Sequence, residues 1–220
     1  MMEYPDDQAP HQGQPVLHLG AESENATSAL ILIHGRGADA ESLRPLAEAL
    51  MAEEMAVHIP QALSNTWYPR RFIEPIEENE PFLSSALQVI DDIVQGFSAR
   101  GIPPERVVIA GFSQGACLSS EYAARNPRLY GGILVFSGGL IGPLDAEFRY
   151  EGDLAGTPAF VGCSDTDFHI PVERVHETTE VLRGLGADVT ERIYPGMGHT
   201  INQDELDVAQ EITAAVSRSR

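Results

Sequence analysis

Residues 107–125 read VVIAGFSQGACLSSEYAAR, which is a short apolar run, a serine flanked by glycines and then a segment with helical spacing of apolar residues. This order predicts a strand at Val107–Ala110, a tight turn, and a helix at Gln114–Arg125. The glycines of Gly111–Gly115 allow the strained angles and close packing of such a turn. The turn lifts Ser113 above the sheet and beside a helix N-terminus, where a developing negative charge is favoured. Ser113 is therefore the candidate nucleophile, and a purely structural turn is the plainer alternative.

Short apolar runs alternate with longer amphipathic segments on both sides of this turn. The alternation is typical of α/β proteins, with a mostly parallel central sheet and helices on both faces. Strands are predicted at Ala29–Ile33, Val57–Ile59, Val107–Ala110, Gly132–Phe136, Ala159–Val161 and Val189–Tyr194, with Val16–Leu19 as an antiparallel edge strand. Helices are predicted at Ala40–Met51, Pro81–Arg100, Gln114–Arg125, Val172–Leu185 and Gln203–Val216. Too few residues lie outside this pattern to form a separate lid domain.

Chain length and composition fit a single packed core. The chain has 220 residues, of which 43% are hydrophobic, enough for one domain without disulfides or metals. We expect that domain over residues 15–220, after a flexible, polar N-terminal tail at residues 1–14. Cys117 and Cys163 have no metal-ligand spacing and are expected to be reduced core thiols of a cytoplasmic protein. No apolar stretch is long enough to span a membrane.

Acidic residues dominate the charge of the chain. They outnumber basic residues 33 to 14, which gives a net charge of −19, and every basic residue is arginine. Such a surface repels phosphate backbones and anionic lipids, so we expect no nucleic-acid partner and no stable membrane association. The composition indicates either a protein adapted to a salt-rich cytoplasm, where ions screen the repulsion, or simply an acidic surface.

A serine hydroxyl needs a base within hydrogen-bonding reach, and His199 is the best placed of seven histidines. It lies in Gly196-Met197-Gly198-His199-Thr200, after the last predicted strand and before the last helix. This loop lies at the carboxyl edge of the sheet, the edge to which Ser113 points. The order serine, acid, histidine along the chain is also that of the Gly-x-Ser-x-Gly hydrolases. His199 is therefore the candidate general base.

The acid that orients His199 is expected after the strand Ala159–Val161. Ser164-Asp165-Thr166-Asp167 offers two carboxylates there, either of which could accept the imidazole N–H and fix its tautomer. Position along the chain leaves both Asp165 and Asp167 open.

Acyl transfer also needs N–H donors for the oxyanion that develops on a substrate carbonyl. One candidate is the backbone N–H of Gln114, directly after the serine. The other is the backbone N–H of Arg36, in the glycine-containing loop His34–Ala38 that follows the strand Ala29–Ile33. An ordinary strand-exit turn is the alternative for this loop. His34 is expected to form structural hydrogen bonds at its base.

The segment from Gln61 to Asn79 is richer in aromatic, proline and charged residues than a simple connection needs. It leaves the strand Val57–Ile59 at the edge of the sheet where α/β proteins bind ligands. Trp67, Tyr68 and Phe72 are therefore candidate substrate-binding residues. A long solvated connection is the alternative.

Five ordered motifs together resemble the phospholipase/carboxylesterase family, which includes the acyl-protein thioesterases. They are His34-Gly35-x-Gly37, Gly111-Phe112-Ser113-Gln114-Gly115, Phe136-Ser137-Gly138, Asp165-x-Asp167-x-x-x-Pro171 and Gly196-Met197-Gly198-His199. The resemblance implies an α/β-hydrolase fold, a Ser113–His199–Asp167 catalytic triad and no metal or organic cofactor. It differs from the usual family pattern at Arg36, at Cys163-Ser164 and in the loop Trp67–Phe72.

The resemblance also implies an activity. The expected function is a serine carboxylesterase acting on small or medium acyl or aryl esters, with a small-molecule ester as its partner. A lysophospholipase, an acyl-protein thioesterase or a lactone hydrolase is the alternative within enzymes, although lactone hydrolases typically use a cysteine nucleophile. A catalytically silent binding protein of the same fold is the alternative outside enzymes. A homodimer is left open as the assembly.

Overall fold

The computed structural model describes residues 9–22 and 25–218. Within them, seven strands form one sheet and helices cover both of its faces. The strands are β1 (Val16–Gly20), β2 (Ser28–Ile33), β3 (Met55–Pro60), β4 (Val107–Phe112), β5 (Gly132–Phe136), β6 (Pro158–Ser164) and β7 (Asp188–Tyr194). The helices are α1 (Arg44–Leu50), α2 (Phe82–Ser98), α3 (Gln114–Arg125), α4 (Val172–Gly184) and α5 (Gln203–Arg218).

The sheet has the order β1-β3-β2-β4-β5-β6-β7. β1 pairs antiparallel with β3, with Val16 opposite Pro60, and every other neighbouring pair is parallel. β2 and β5 are buried along their whole length, which explains why they read as continuous apolar runs. The mostly parallel sheet and the antiparallel edge strand predicted from the sequence are confirmed.

Two apolar layers hold the helices on the sheet. Alternate side chains of each strand point to opposite faces, so Ile31 packs in the layer under α2, α3 and α4 while Leu30 packs in the layer under α1 and α5. The described residues contain no separate lid domain over the sheet. None of the helices within these residues is both long and apolar enough to cross a bilayer.

Element ends differ from the predictions where local contacts override the apolar pattern. β6 continues to Ser164 because its ladder with β7 runs on to the pair Ser164–Tyr194. The helix predicted from Ala40 begins as α1 only at Arg44, after a 3₁₀ turn over Glu41–Leu43, and has a proline in its first turn.

The predicted flexible tail is wrong for residues 9–14, while residues 1–8 lie outside the described residues. His11 is only 1% exposed. Its backbone N–H donates to Ser85 Oγ over 2.9 Å, and its imidazole Nε2 lies 2.8 Å from the carbonyl oxygen of Trp67. Polar composition suggested a tail, but this one histidine packs against residues far away in the sequence.

Candidate active site

The turn between β4 and α3 has the strained backbone expected of it. Ser113 has φ 56° and ψ −117°, a conformation that costs a non-glycine residue about 1–3 kcal/mol. A Cβ atom on Gly115 would lie 2.0 Å from the carbonyl oxygen of Ile33, and one on Gly111 would lie 2.2 Å from that of Gly115. Both glycines are therefore required because β2, β4 and α3 meet without room for a side chain.

A continuous hydrogen-bonded chain leads from the serine to a buried carboxylate. Ser113 Oγ lies 2.9 Å from His199 Nε2, and His199 Nδ1 lies 2.6 Å from Asp167 Oδ2. The Asp167 side chain is fully buried, whereas that of His199 is 21% exposed. The structure thus brings together the serine, the histidine and one of the two aspartates predicted from the sequence.

Asp167 is surrounded by donors. Burial raises the pKa of its carboxyl, but hydrogen bonds from His199 and from the backbone N–H groups of His169 and Ile170 outweigh burial and lower the pKa below its ordinary value. The two amides reach Asp167 Oδ1 over 2.8 and 3.1 Å. A charged Asp167 accepts a hydrogen bond from the Nδ1–H of His199, which leaves the Nε2 lone pair facing the Ser113 hydroxyl.

The other candidate acid holds the loop that carries His199, residues 196–200, which we call the histidine loop. Asp165 Oδ1 accepts the backbone N–H of Gly196 over 2.7 Å, and Ser164 Oγ accepts that of Gly198 over 3.1 Å. Asp165 therefore fixes the loop that carries His199 without touching the imidazole.

A thiol also faces the buried carboxylate. Cys163 Sγ lies 3.7 Å from Asp167 Oδ2, and burial together with this negative charge raises the pKa of the thiol to about 12. A protonated Cys163 can thus donate to Asp167 from the core side. Sequence reasoning treated Cys163 only as a core thiol, and its position four residues before Asp167 was the available signal.

The loop that follows β2 packs against the serine turn. A Cβ on Gly35 would lie 3.3 Å from Ser113 Cβ, so the main chain passes directly beside the serine. The backbone N–H groups of Arg36 and Gln114 donate to no acceptor in the described part of the chain. Both amides are therefore available to a substrate oxygen.

His34 has a structural position at the base of this loop. Its Nε2 accepts the backbone N–H of Ala62 over 3.1 Å, and its Nδ1 lies 2.8 Å from the carbonyl oxygen of Gly35. Burial lowers the pKa of the imidazole, which keeps it neutral. His34 has no contact with Ser113 that would make it a second base.

A cavity of about 890 Å³ opens over Ser113 and His199. Its walls combine aromatic and apolar side chains with charged ones: Ala38, Leu43, Tyr68, Pro69, Phe72, Phe112, Cys117 and Ile170, and Arg36, Arg70, Arg71, Glu74 and Glu78. Tyr68 and Phe72, two of the three residues expected to bind substrate, lie in this wall. In the described residues, no group of three or more histidine, cysteine or acidic side chains is arranged to hold a metal ion.

The prediction that Trp67 binds substrate is contradicted, because its side chain is not part of the cavity wall. It is fully buried, its Nε1–H donates to the carbonyl oxygen of His34 over 3.0 Å, and its ring packs against His11 and His34. The indole N–H needs a buried acceptor, and the base of the loop after β2 provides one. Trp67 supports that loop from inside the core.

Sequence reasoning missed two rings beside the histidine. The rings of Phe112 and His169 lie 4.8 and 4.9 Å from that of His199, and both residues line the cavity. His169 follows Asp167 by two residues, which was the only signal for it.

Residues 17–217 match the sequence model of the phospholipase/carboxylesterase family. The chain belongs to this family. A crystal structure of a phospholipase/carboxylesterase from Dyadobacter fermentans superposes with a TM-score of 0.87 at 42% sequence identity, covering 90% of this chain and 95% of that one. The resemblance predicted from the motifs and the α/β-hydrolase fold it implied are confirmed.

Curated relatives in the family match over shorter stretches. An acyl-protein thioesterase 1 from Gibberella zeae is 35% identical over 125 residues, which cover 53% of this chain and 50% of that protein. A probable inactive carboxylesterase from Oryza sativa subsp. japonica is 30% identical over 57% of this chain and 51% of that protein. The chain thus spans about half the length of these two family members.

Proposed function

We propose that this protein is a serine carboxylesterase in which Ser113 is the nucleophile, His199 the general base and Asp167 the acid that orients the imidazole. The observation that carries the proposal is the hydrogen-bonded chain from Ser113 through His199 to a buried, charged Asp167 at the floor of an open cavity. Family membership supports hydrolytic chemistry.

The reaction has two halves that use the same groups. Ser113 Oγ attacks the ester carbonyl carbon while His199 Nε2 takes the hydroxyl proton, and the backbone amides of Arg36 and Gln114 hold the oxyanion. His199 then gives the proton to the leaving alcohol as the carbon–oxygen bond breaks. Water, deprotonated by His199, attacks the acyl-enzyme and releases the acid and the free Ser113 hydroxyl.

The substrate class follows from the size and lining of the cavity. A volume of about 890 Å³ lies in the range of pockets that take small molecules. The buried wall residues Tyr68 and Phe72, with the half-buried Phe112, suit a short acyl chain or a single aromatic ring. We therefore propose small or medium acyl and aryl esters as substrates, ahead of long-chain lysophospholipids and acyl-proteins.

A cysteine nucleophile of the lactone-hydrolase kind finds no support at this site. Cys117 lines the cavity one helical turn after Ser113, but burial raises the pKa of its thiol to about 12. The protonated thiol is a poor nucleophile at neutral pH.

A panel of p-nitrophenyl esters from acetate to palmitate, together with an acyl thioester, tests this proposal. We expect the highest kcat/KM for short acyl chains and measurable hydrolysis of an aryl ester. A catalytically silent binding protein, the other candidate given the relative named as inactive, would hydrolyse none of them. Preference for palmitate or for the thioester would instead favour the lysophospholipase or thioesterase alternative.

The acidic surface supports a further proposal, that this enzyme works in a salt-rich cytoplasm. At a net charge of −19, like charges repel across the surface, and salt near 1 M screens them over about 3 Å. The melting temperature should therefore rise from low to molar NaCl. A flat or falling melting temperature would contradict adaptation to salt.

A further inference from the structure

The loop that supplies the Arg36 amide is attached on both sides of Arg36. His34 Nδ1 lies 2.8 Å from the carbonyl oxygen of Gly35, and the backbone N–H of Gly37 donates to the carbonyl oxygen of Asn65 over 2.7 Å. Arg36 lies between Gly35 and Gly37, and Gly37 has φ +79° with no atom within 4 Å of where its Cβ would lie. Glycines on both sides still let the Arg36 peptide rotate between these attachments more freely than other residues would. An N–H that is to hold an oxyanion must nevertheless stay within a few tenths of an ångström of its working position. These attachments lie on the neighbouring residues, so a contact made by Arg36 itself would limit the remaining rotation of its peptide.

The Arg36 side chain provides such an anchor. Its Nη1 donates to the carbonyl oxygen of Pro69 over 2.9 Å, and its Nη2 donates to that of Arg70. The guanidinium also lies 5.9 Å from the centre of the Tyr68 ring. Both terminal nitrogens of the guanidinium are therefore hydrogen-bonded to backbone carbonyls of residues 69 and 70.

The residues that Arg36 grips are themselves fixed to the body of the protein. We call residues 67–71 the support loop. On its far side, the buried Asn79 side chain accepts the backbone N–H of Arg70 over 2.8 Å and donates to the carbonyl oxygen of Arg71 over 3.2 Å. The support loop is thus a firm attachment point.

The second proposed oxyanion residue grips the same loop. Gln114 Oε1 accepts the backbone N–H of Trp67 over 2.9 Å, and Gln114 Nε2 donates to the carbonyl oxygen of Tyr68 over 2.9 Å. Four consecutive residues of the support loop, Trp67 to Arg70, are therefore held by the side chains of Arg36 and Gln114, whose backbone amides remain free for the substrate.

From this arrangement we infer that the Arg36 guanidinium is a positioning residue, which clamps the oxyanion loop to the support loop and so fixes the Arg36 amide. The inference rests on the proposed function. It assigns Arg36 a part in transition-state stabilisation through its side chain, separate from the amide donor itself. The same clamp joins the oxyanion amide to the loop that carries Tyr68, so a change in the cavity wall alters oxyanion geometry.

Arg36→Met tests the clamp because it keeps the backbone amide and most of the side-chain length but removes both donors. A displacement of about 1 Å at a catalytic group can cost roughly 100-fold in rate, so we expect kcat for p-nitrophenyl acetate to fall about 10- to 100-fold. KM should stay within about twofold, because the lost interaction acts in the transition state. Affinity for a trifluoromethyl ketone, whose oxyanion occupies the same donors, should fall by the same factor as kcat.

Two further variants separate geometry from charge and from general stability. Arg36→Lys keeps the charge but cannot bridge two carbonyls, so it should resemble Arg36→Met. Arg183→Met removes an exposed guanidinium on α4 that also bonds a backbone carbonyl, that of Val189, and should leave kcat within about twofold. Competent sites are counted by fluorophosphonate titration, so that misfolded protein does not lower kcat.

Some results would overturn the clamp. They are a raised KM with unchanged kcat, wild-type activity in Arg36→Lys, or an unchanged trifluoromethyl ketone affinity in Arg36→Met. If the wild-type protein hydrolyses esters and labels at Ser113 while Arg36→Met matches it, only the clamp fails. If the wild-type protein neither hydrolyses esters nor labels, the proposed function itself fails.

Discussion

The serine turn and the histidine loop both depend on two glycines, but for different physical reasons. In the serine turn, a Cβ on Gly111 or Gly115 would collide with backbone atoms 2.2 and 2.0 Å away. In the histidine loop, Gly196 and Gly198 have φ of +65° and +80° and open space where a Cβ would be. Gly111 and Gly115 are needed because a side chain has no room there, whereas Gly196 and Gly198 are needed because their backbone is left-handed.

The two regions also differ in what holds them. Close packing of β2, β4 and α3 fixes Ser113, whereas hydrogen bonds accepted by Ser164, Asp165 and Asp167 fix the loop that carries His199. The site thus joins a sterically locked serine to a histidine whose position depends on polar partners. Mutations in the two regions should therefore leave different signatures.

The largest expected effect is at Asp167, which holds His199 by a hydrogen bond. Asp167→Asn replaces the acceptor for the His199 Nδ1 proton with an amide that can stabilise the wrong imidazole tautomer, so kcat should fall by about 10⁴-fold. Asp165→Asn keeps an oxygen that can accept the Gly196 N–H and should cost less than about 10-fold. Measuring kcat for both variants decides between the acids, and the reverse ranking would contradict the assignment of Asp167.

In the closely packed serine turn, Gly115→Ala should destabilise the fold. Its methyl group would meet the backbone of Ile33, which cannot move aside as a side chain could, and we expect a loss of about 3 kcal/mol or more in the free energy of unfolding. Gly184→Ala is the matched control, since its Cβ meets nothing within 4 Å and the residue lies in α4. It should gain about 0.5–1 kcal/mol. Urea unfolding measures both, and equal effects would contradict the steric account.

Next in size is a pH effect at Glu205, in the first turn of α5 behind the histidine loop. Glu205 Oε2 accepts the backbone N–H of Asn202 over 2.8 Å, but its buried Oε1 has no partner within the described residues. Burial raises the pKa of this carboxyl to about 7. The unfolded chain therefore ionises first as pH rises, and stability is lost between about pH 4.5 and about pH 7.

Glu205→Gln should remove this pH dependence, because the amide keeps an acceptor for Asn202 and cannot ionise. As pH rises from about 4.5 to about 8, the free energy of unfolding of the variant should increase by roughly 2–3 kcal/mol relative to that of the wild type. Denaturation at the two pH values measures the gain. A stability difference that is the same at both would show that Glu205 does not titrate in this range.

The smallest effect belongs to the conformational glycine of the histidine loop. Gly198→Ala forces a left-handed backbone on a residue with a side chain and should cost about 1–2 kcal/mol, without any steric collision. Gly198→Asn should cost less, because asparagine tolerates this region better than alanine. Thermal melts rank the two variants. A loss in Gly198→Ala as large as that in Gly115→Ala would erase the distinction between the two pairs of glycines.

The serine turn could be predicted from the sequence because its requirements are local. An apolar strand, two glycines around Ser113 and a helical segment are adjacent along the chain, and the structure has the strand and helix where they were expected. The histidine loop could be placed at the right edge for the same reason. The choice between Asp165 and Asp167 could not be made from spacing, because both lie on one short loop and only their side-chain directions differ.

Contacts between distant segments were beyond the sequence pattern. Trp67 lies in a segment without helical or strand periodicity, so nothing indicated that its ring turns into the core toward His34. His11 contacts Trp67, which lies 56 residues later in the sequence, whereas composition alone suggested that His11 belongs to a tail. The link from Arg36 to Pro69 and Arg70 also joins two irregular loops, whose relative position depends on the whole sheet edge.

Covalent labelling tests most directly whether Ser113 is the nucleophile of an active hydrolase. A fluorophosphonate probe, followed by peptide mass spectrometry, should label Ser113 alone in the wild-type protein. Ser113→Ala should take up no label and should lose more than about 10³-fold in hydrolysis of p-nitrophenyl acetate. Labelling of Ser137 or Ser164, or a Ser113→Ala variant that hydrolyses the ester at the wild-type rate, would contradict the account.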